Sequence, residues 1–287
     1  MGRTPVLLLI ALLTVGCASR PHIIVGSKNF TEQVMLGEIV AQQIERRLGV
    51  EVERKLDLGG TLLAHEALRG GSIDLYPEYT GTALTAVLKQ PIVRDAKTAF
   101  ANVSAGYRPW GIEWLPPLGF NDSFAMVVRS DMAREQGLKT LSDAARRAKP
   151  WHLGVGYEFT QRPDGLDGLV KRYGLRLDGT PVEMDLGLLY PALRSQKIEM
   201  AAANATDGML AHPEFTVLED DLGYFPPYEC AIAVRDDALR RFPRLKETLS
   251  ELSGSISDVS MRSMNELVDV EHKPVAEVAR DFLDKRK

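Results

Sequence analysis

Cysteine, histidine and tryptophan are scarce in this chain of 287 residues: two cysteines, five histidines and three tryptophans. Cys17 falls at the end of an N-terminal segment read below as an export signal, and if it carries a lipid, Cys230 is the one thiol left and no internal disulfide is possible. The five histidines (His22, His65, His152, His212, His272) are far apart and show no metal-ligand spacing with the cysteines. No metal and no cofactor is therefore expected. Cys230 lies in Glu229-Cys230-Ala231-Ile232-Ala233-Val234, which reads as a strand, so a buried inert thiol fits better than a nucleophile. There is no excess of positive charge either. A net charge of −4 argues against a nucleic-acid partner, because phosphate binding needs clustered Lys and Arg. No Gly-x-Ser-x-Gly turn and no phosphate loop occur, which removes the commonest signatures of a hydrolase or a nucleotide enzyme.

Long apolar runs are also missing after the N-terminus. Val6 to Val15 is apolar but too short to span a bilayer, and Arg3 precedes it, so residues 1–17 read as an export signal. Gly16-Cys17 resembles the end of a lipoprotein signal, with Cys17 as the lipidated first residue of the mature chain; Thr14 departs from the usual aliphatic position. Ordinary secretion with cleavage nearby is the alternative. The mature protein is thus expected outside the cytoplasm, touching a membrane through a lipid anchor alone.

What is present is a core-forming pattern: 45% of residues are hydrophobic, enough for one large or two medium domains. From His22 short apolar runs alternate with helical periodicity, which predicts an α/β fold. Val34, Ile39, Val40, Ile44 and Leu48 make one stripe of a helix over 32–48, and Gly49 follows its end. Strands are expected at 50–54 and 73–76, with a helix at 62–69 between them, and this order predicts a parallel sheet with right-handed crossovers. A strand running through Phe124 to Val128 reads as a crossing into a second group of elements, and Tyr224-Phe225-Pro226-Pro227-Tyr228 as the return. Residues 237–287 read as helices packing back on the first group.

Two segments carry the most chemistry. Gly26-Ser27-Lys28-Asn29-Phe30-Thr31-Glu32-Gln33 reads as a strand-to-helix turn, where unpaired N–H groups and Lys28 favour an anion. Asp74-Leu75-Tyr76-Pro77-Glu78-Tyr79-Thr80-Gly81-Thr82 places two tyrosines, carboxylates and threonines around Pro and Gly punctuation. Taken singly, each residue has a plainer reading: the tyrosines as packing, Lys28 and Arg162 as solvated charges, Asp207-Gly208 as a turn, Glu158 as a structural partner for Arg162.

Together with Gly119-Phe120-Asn121-Asp122, Arg162-Pro163-Asp164-Gly165, Met184 to Tyr190, Thr206-Asp207-Gly208 and Phe225-Pro226-Pro227-Tyr228, these segments resemble substrate-binding proteins of glycine betaine/carnitine/choline ABC transporters. The resemblance implies a two-lobed type II periplasmic-binding-protein fold, with a ligand cleft between lobes joined by two hinge crossings. Residues 21–124 plus 226–287 would form lobe 1 and 125–225 lobe 2. It also implies a monomeric receptor for a small quaternary ammonium or related zwitterion, working with a permease and an ATPase on separate chains.

Carried over by residue, the resemblance puts the ligand's carboxylate on Lys28, Thr82 and Arg162. It puts the cation in an aromatic box at Tyr79, Phe124 and Tyr228, with Asp122 near it. A trimethylammonium cannot donate conventional hydrogen bonds, so ring faces attract it, at roughly 0.5–2 kcal/mol each. Asn204 stands where the family has a box tyrosine, and Glu229 where a second tyrosine commonly follows Tyr228. Their polarity leaves open a different zwitterion with hydrogen-bond donors, amino-acid-like or ergothioneine-like. An enzyme or a signalling sensor on the same fold are the other readings.

Overall fold

The computed structural model describes residues 22–286; the Cys17 lipidation site and the signal segment lie outside them. The alternating pattern resolves into two five-stranded sheets. The first contains β1 (Ile23–Gly26), β2 (Val52–Lys55), β3 (Leu75–Tyr79), β4 (Ile112–Trp114) and β10 (Cys230–Arg235), in the order β2-β1-β3-β10-β4. The second contains β5 (Phe124–Arg129), β6 (Leu153–Val155), β7 (Val182–Glu183), β8 (Met200–Asn204) and β9 (Phe215–Leu218), in the order β7-β6-β8-β5-β9.

The parallel order expected of the first three strands holds, and each sheet adds a strand that runs the other way. β1 runs parallel to β2 and β3, but β10 is antiparallel to β3 and β4. In the second sheet β6 runs parallel to β7 and β8, while β5 is antiparallel to β8 and β9. β5 and β10 are the strands reached from the opposite lobe. Each enters its sheet from the cleft end, where the parallel strands terminate, so it runs the other way. The two crossings touch at the Asn121–Glu229 bridge.

Helix α1 (Thr31–Leu48) buries Met35, Leu36, Ile39, Val40 and Ile44 against the first sheet, a broader face than the stripe read from the sequence. Each such side chain contributes about 1.5–3 kcal/mol. Gly49 ends the helix in the left-handed region (φ 63°), and its N–H donates to the Glu45 carbonyl. β3 continues past Pro77 to Tyr79, three residues beyond the expected end. β1 pairs with β3 only at Val25–Leu75, so farther along β3 is paired by β10 alone and the missing proline N–H breaks no ladder with β1. The C-terminal helices pack on α1, but Asp258–Asp269 also lies against residues Gly208–Ala211 of the second lobe. There a Cβ on Gly208 would sit 2.5 Å from the Glu266 backbone nitrogen, so glycine permits this cross-lobe approach.

Candidate functional site

A cleft of about 690 Å³ lies between the lobes. Lys28, Tyr79, Thr82, Asp122, Phe124, Arg162, Asn204 and Tyr228 all line it, although they come from both sheets and both crossings. Glu229 does not line it. Its backbone N–H donates to the Thr80 hydroxyl and its carbonyl accepts from the Thr80 N–H, which fixes the return crossing beside the end of β3.

The basic side chains arrive already paired. Lys28 Nζ donates to Glu78 Oε1 at 2.7 Å, with Glu78 fully buried, and stands 4.6 Å from the Tyr79 ring centroid. Arg162 donates through Nε and Nη2 to the two oxygens of Asp164 (2.9 and 2.6 Å) and through Nη1 to Thr82 Oγ1 on the other lobe (3.1 Å). Asp164 also accepts from the Tyr228 hydroxyl at 2.6 Å and the Thr85 hydroxyl at 2.9 Å. Burial alone would raise the Asp164 carboxyl, but the Arg162 guanidinium outweighs it and holds the group below its usual range. Asp164, not Glu158, is therefore the structural partner of Arg162. Glu158 instead accepts from the N–H and hydroxyl of Thr61 (2.6 and 3.0 Å), at the start of helix α2 (Thr61–Arg69) on the opposite lobe.

The rings do not form an empty box. Arg162 lies 5.3 Å from the Phe124 ring centroid and 5.6 Å from that of Tyr228, and Phe124 packs edge-on against Tyr228 and Phe159. Across the β5–β8 pair Phe124 stands directly opposite Asn204, so the weakened wall and the replaced wall of the inferred box are neighbours.

A second, acidic region surrounds Asp122, which was expected near the cation, and adds Glu32, Asp207 and Asp269, which were not expected to line the site. Glu32 Oε1 accepts from the Tyr79 hydroxyl at 2.6 Å, and Glu32 Oε2 accepts from Asn265 Nδ2 at 3.1 Å. The Thr206 hydroxyl lies between Glu32 and Asp122. Asp207, read as part of a turn, lines the cleft and accepts from the Tyr190 hydroxyl at 2.8 Å; Asp269 lines it too. Burial pushes Glu32 up to about 7, against the pull of its hydrogen bonds from Thr206, Tyr79 and Asn265. Desolvation, then the charge of Asp122, raises Asp207 to about 7. The available signal was Glu32 in the first turn of α1 and the Thr206-Asp207 pair, both inside motifs already singled out. Among the described residues no cluster of His, Cys, Asp and Glu is arranged to hold a metal ion, and no helix is long and apolar enough to cross a membrane.

A family model described as the substrate binding domain of ABC-type glycine betaine transport systems matches residues 21–285. The chain is 33% identical over 282 residues to the glycine-betaine-binding protein of Pseudomonas aeruginosa, covering 95% of this chain and 90% of that one. It is 32% identical over 265 residues to an ergothioneine transport permease/ergothioneine binding protein of Helicobacter pylori. That match covers 92% of this chain but 47% of the relative, so the chain spans about half of that relative's length. The solved structure of a glycine betaine/carnitine/choline ABC transporter protein shares the two-lobed fold at a TM-score of 0.77 and 30% identity, covering 92% of this chain and 98% of that one.

Proposed function

The chain belongs to the family of substrate-binding domains of ABC-type glycine betaine transport systems, and from that premise we propose that its lobes close around a small quaternary ammonium zwitterion of the glycine betaine and carnitine class. The observation that carries this reading is the Arg162–Thr82 contact across the cleft, beside the rings of Phe124 and Tyr228. Arg162 uses three N–H groups in these bonds, and a guanidinium has five, so two remain for a ligand carboxylate. Asp164 fixes the plane of the fork, which gives the carboxylate direction as well as charge. Asp207, Asp269 and the Glu32–Asp122 pair supply a negative field for the cationic end, and the rings that line the cleft add cation–π attraction where a face meets the ligand. The crossings at 115–123 and 219–229 act as the hinge, as in other two-lobed receptors.

Released from the cytoplasm and anchored through Cys17, the protein hands its ligand to a permease and ATPase on other chains and transforms nothing. A second reading, a zwitterion bearing hydrogen-bond donors, rests on Asn204, whose amide faces the cleft where a ring would otherwise stand.

Thermal-shift screening followed by calorimetry tests both, with glycine betaine, carnitine, choline, ergothioneine, proline betaine and common amino acids. A ligand at one hundred times its Kd stabilises the protein by about 2.7 kcal/mol. Glycine betaine or carnitine should raise Tm and be recovered chemically unchanged. A screen in which no quaternary ammonium raises Tm refutes the proposal.

A further inference from the structure

The hydroxyl of Thr206 lies 2.5 Å from Glu32 Oε2 and 2.7 Å from Asp122 Oδ1. Both separations are hydrogen bonds, and a hydroxyl has one hydrogen to give. With both carboxyls ionised, one of the two contacts would set lone pairs against lone pairs. All three groups are buried, at 3%, 8% and 1% exposure for Glu32, Asp122 and Thr206, so bulk water cannot supply the missing hydrogen. A single proton on either carboxyl completes the chain: the carboxyl O–H donates to Thr206 Oγ1, and the Thr206 O–H donates to the other carboxylate.

The three partners come from different parts of the molecule. Glu32 belongs to α1 of the first lobe, where Tyr79 and Asn265 hold it; Asp122 is on the outgoing crossing; Thr206 follows β8 in the second lobe. The Thr206 carbonyl accepts from Asn265 Nδ2 at 2.9 Å, so the segment is docked on the first lobe twice. Opening the cleft withdraws the hydroxyl from Glu32 and admits water to both carboxyls. We propose that lobe closure takes up one proton, which Glu32 and Asp122 share through the hydroxyl of Thr206, so that ligand capture is coupled to pH.

The protein groups around the pair favour the proton, whereas the cationic end of the ligand, drawn to the same field, opposes it. Lys28 faces the pair from the β1–α1 turn, but its charge is met by Glu78, and Arg262 is turned to the Ala205 carbonyl. Asp207 and Asp269 add negative charge from beyond β8 and from the helix Asp258–Asp269, while Tyr79, Tyr190 and the Cys230 thiol complete the wall. Burial, joined by the charge of Glu32, lifts Asp122 well above the ordinary carboxyl range, in agreement with the geometry. The sign follows. Below the ordinary carboxyl value of 4.5, open and closed forms both carry the proton. Between there and about 7 only the closed form does, and closure weakens as pH rises through that window.

The test rests on the ligand reading above and uses the full chain with glycine betaine, carnitine and choline as probes. Calorimetry near pH 6 in two buffers of different ionisation enthalpy counts protons. Wild type should take up protons on binding and bind more weakly near pH 8 than near pH 6, with Asp207, which burial also raises, adding its own share to the total. In Asp122→Asn the amide oxygen keeps the Thr206 N–H and the Thr206 hydroxyl has one carboxylate left to serve, so proton uptake should fall by this pair's share and the pH-dependent weakening should shrink with it. Binding without proton uptake in wild type, or uptake undiminished in Asp122→Asn, overturns the proposal and leaves the ligand reading standing. Should none of the three probes bind, the ligand reading fails, and small-angle scattering of the ligand-free chain decides the proton. Compaction at low pH that Thr206→Val abolishes supports it; equal radii of gyration at both pH values overturn it.

Discussion

Replacing Tyr228 by phenylalanine separates two roles that one residue combines. The ring stays, with its face toward Arg162 and its edge contact to Phe124, and only the hydroxyl is lost. That hydroxyl donates to Asp164 Oδ2 at 2.6 Å, joining the return crossing to the second lobe in a buried setting. A hydrogen bond to a charged partner is worth about 1.5–3 kcal/mol. Asp164 keeps both Arg162 bonds and the Thr85 hydroxyl, so it is not stranded, and the lower end of the range applies. About 1.4 kcal/mol is tenfold in Kd. Because the bond spans the hinge, its loss should appear as a roughly tenfold weaker Kd for glycine betaine, mostly through faster dissociation, with each lobe's own folding little changed. Calorimetry and stopped-flow fluorescence read these quantities. Tyr228→Ala then removes the ring as well and should cost a further ~1 kcal/mol or more if that face meets the ligand's cation. An unchanged Kd in Tyr228→Phe refutes the closure role of the hydroxyl, and equal Kd values for the Phe and Ala variants refute the ring's.

Arg162→Lys keeps the charge but cannot hold both Asp164 oxygens and Thr82 at once, so calorimetry should show glycine betaine binding weakened by about 1.5–3 kcal/mol. Asn204→Tyr should tighten betaine by about one cation–π contact, ~1 kcal/mol; weaker binding favours a ligand that donates hydrogen bonds. A Cβ on Gly60 would lie 2.3 Å from Glu158 Oε1, so Gly60→Ala should displace that carboxylate from the Thr61 N–H. Glu158 is exposed, so the loss of affinity should stay near ~1 kcal/mol. In the second lobe, hydrogen bonds from Arg147 hold Glu199 down to about 2. Its contribution to stability is present above 4.5 and lost as pH falls toward about 2, so the Tm gap between wild type and Glu199→Gln should close on acidification.

How much could be read from the chain depended on the range of each interaction. Apolar spacing marked α1 and the strand Cys230–Val234, because a helix or strand that buries one face must repeat at its own period. Gly49 and the Pro-Pro pair before Tyr228 marked ends and crossings, since their backbone limits are local. Eight of the nine ligand residues implied by the family resemblance line one cleft, although each residue read singly had a plainer explanation. The element order gave the parallel run of β1, β2 and β3, but the direction of the strands entered from the other lobe was beyond such signals. A strand carries no mark of the lobe it was entered from, and β5 and β10 run antiparallel only because the chain crosses the hinge to reach them. Partner choice was equally hidden. Arg162 pairs with a carboxylate two residues away on its own lobe, a choice over Glu158 that the local fold of the loop makes, while Glu158 meets a helix start across the cleft because the two lobes face each other there. The acidic pair was decided last of all. Glu32 and Asp122 are ordinary surface-type carboxylates until tertiary packing strips their water and sets a single threonine hydroxyl between them.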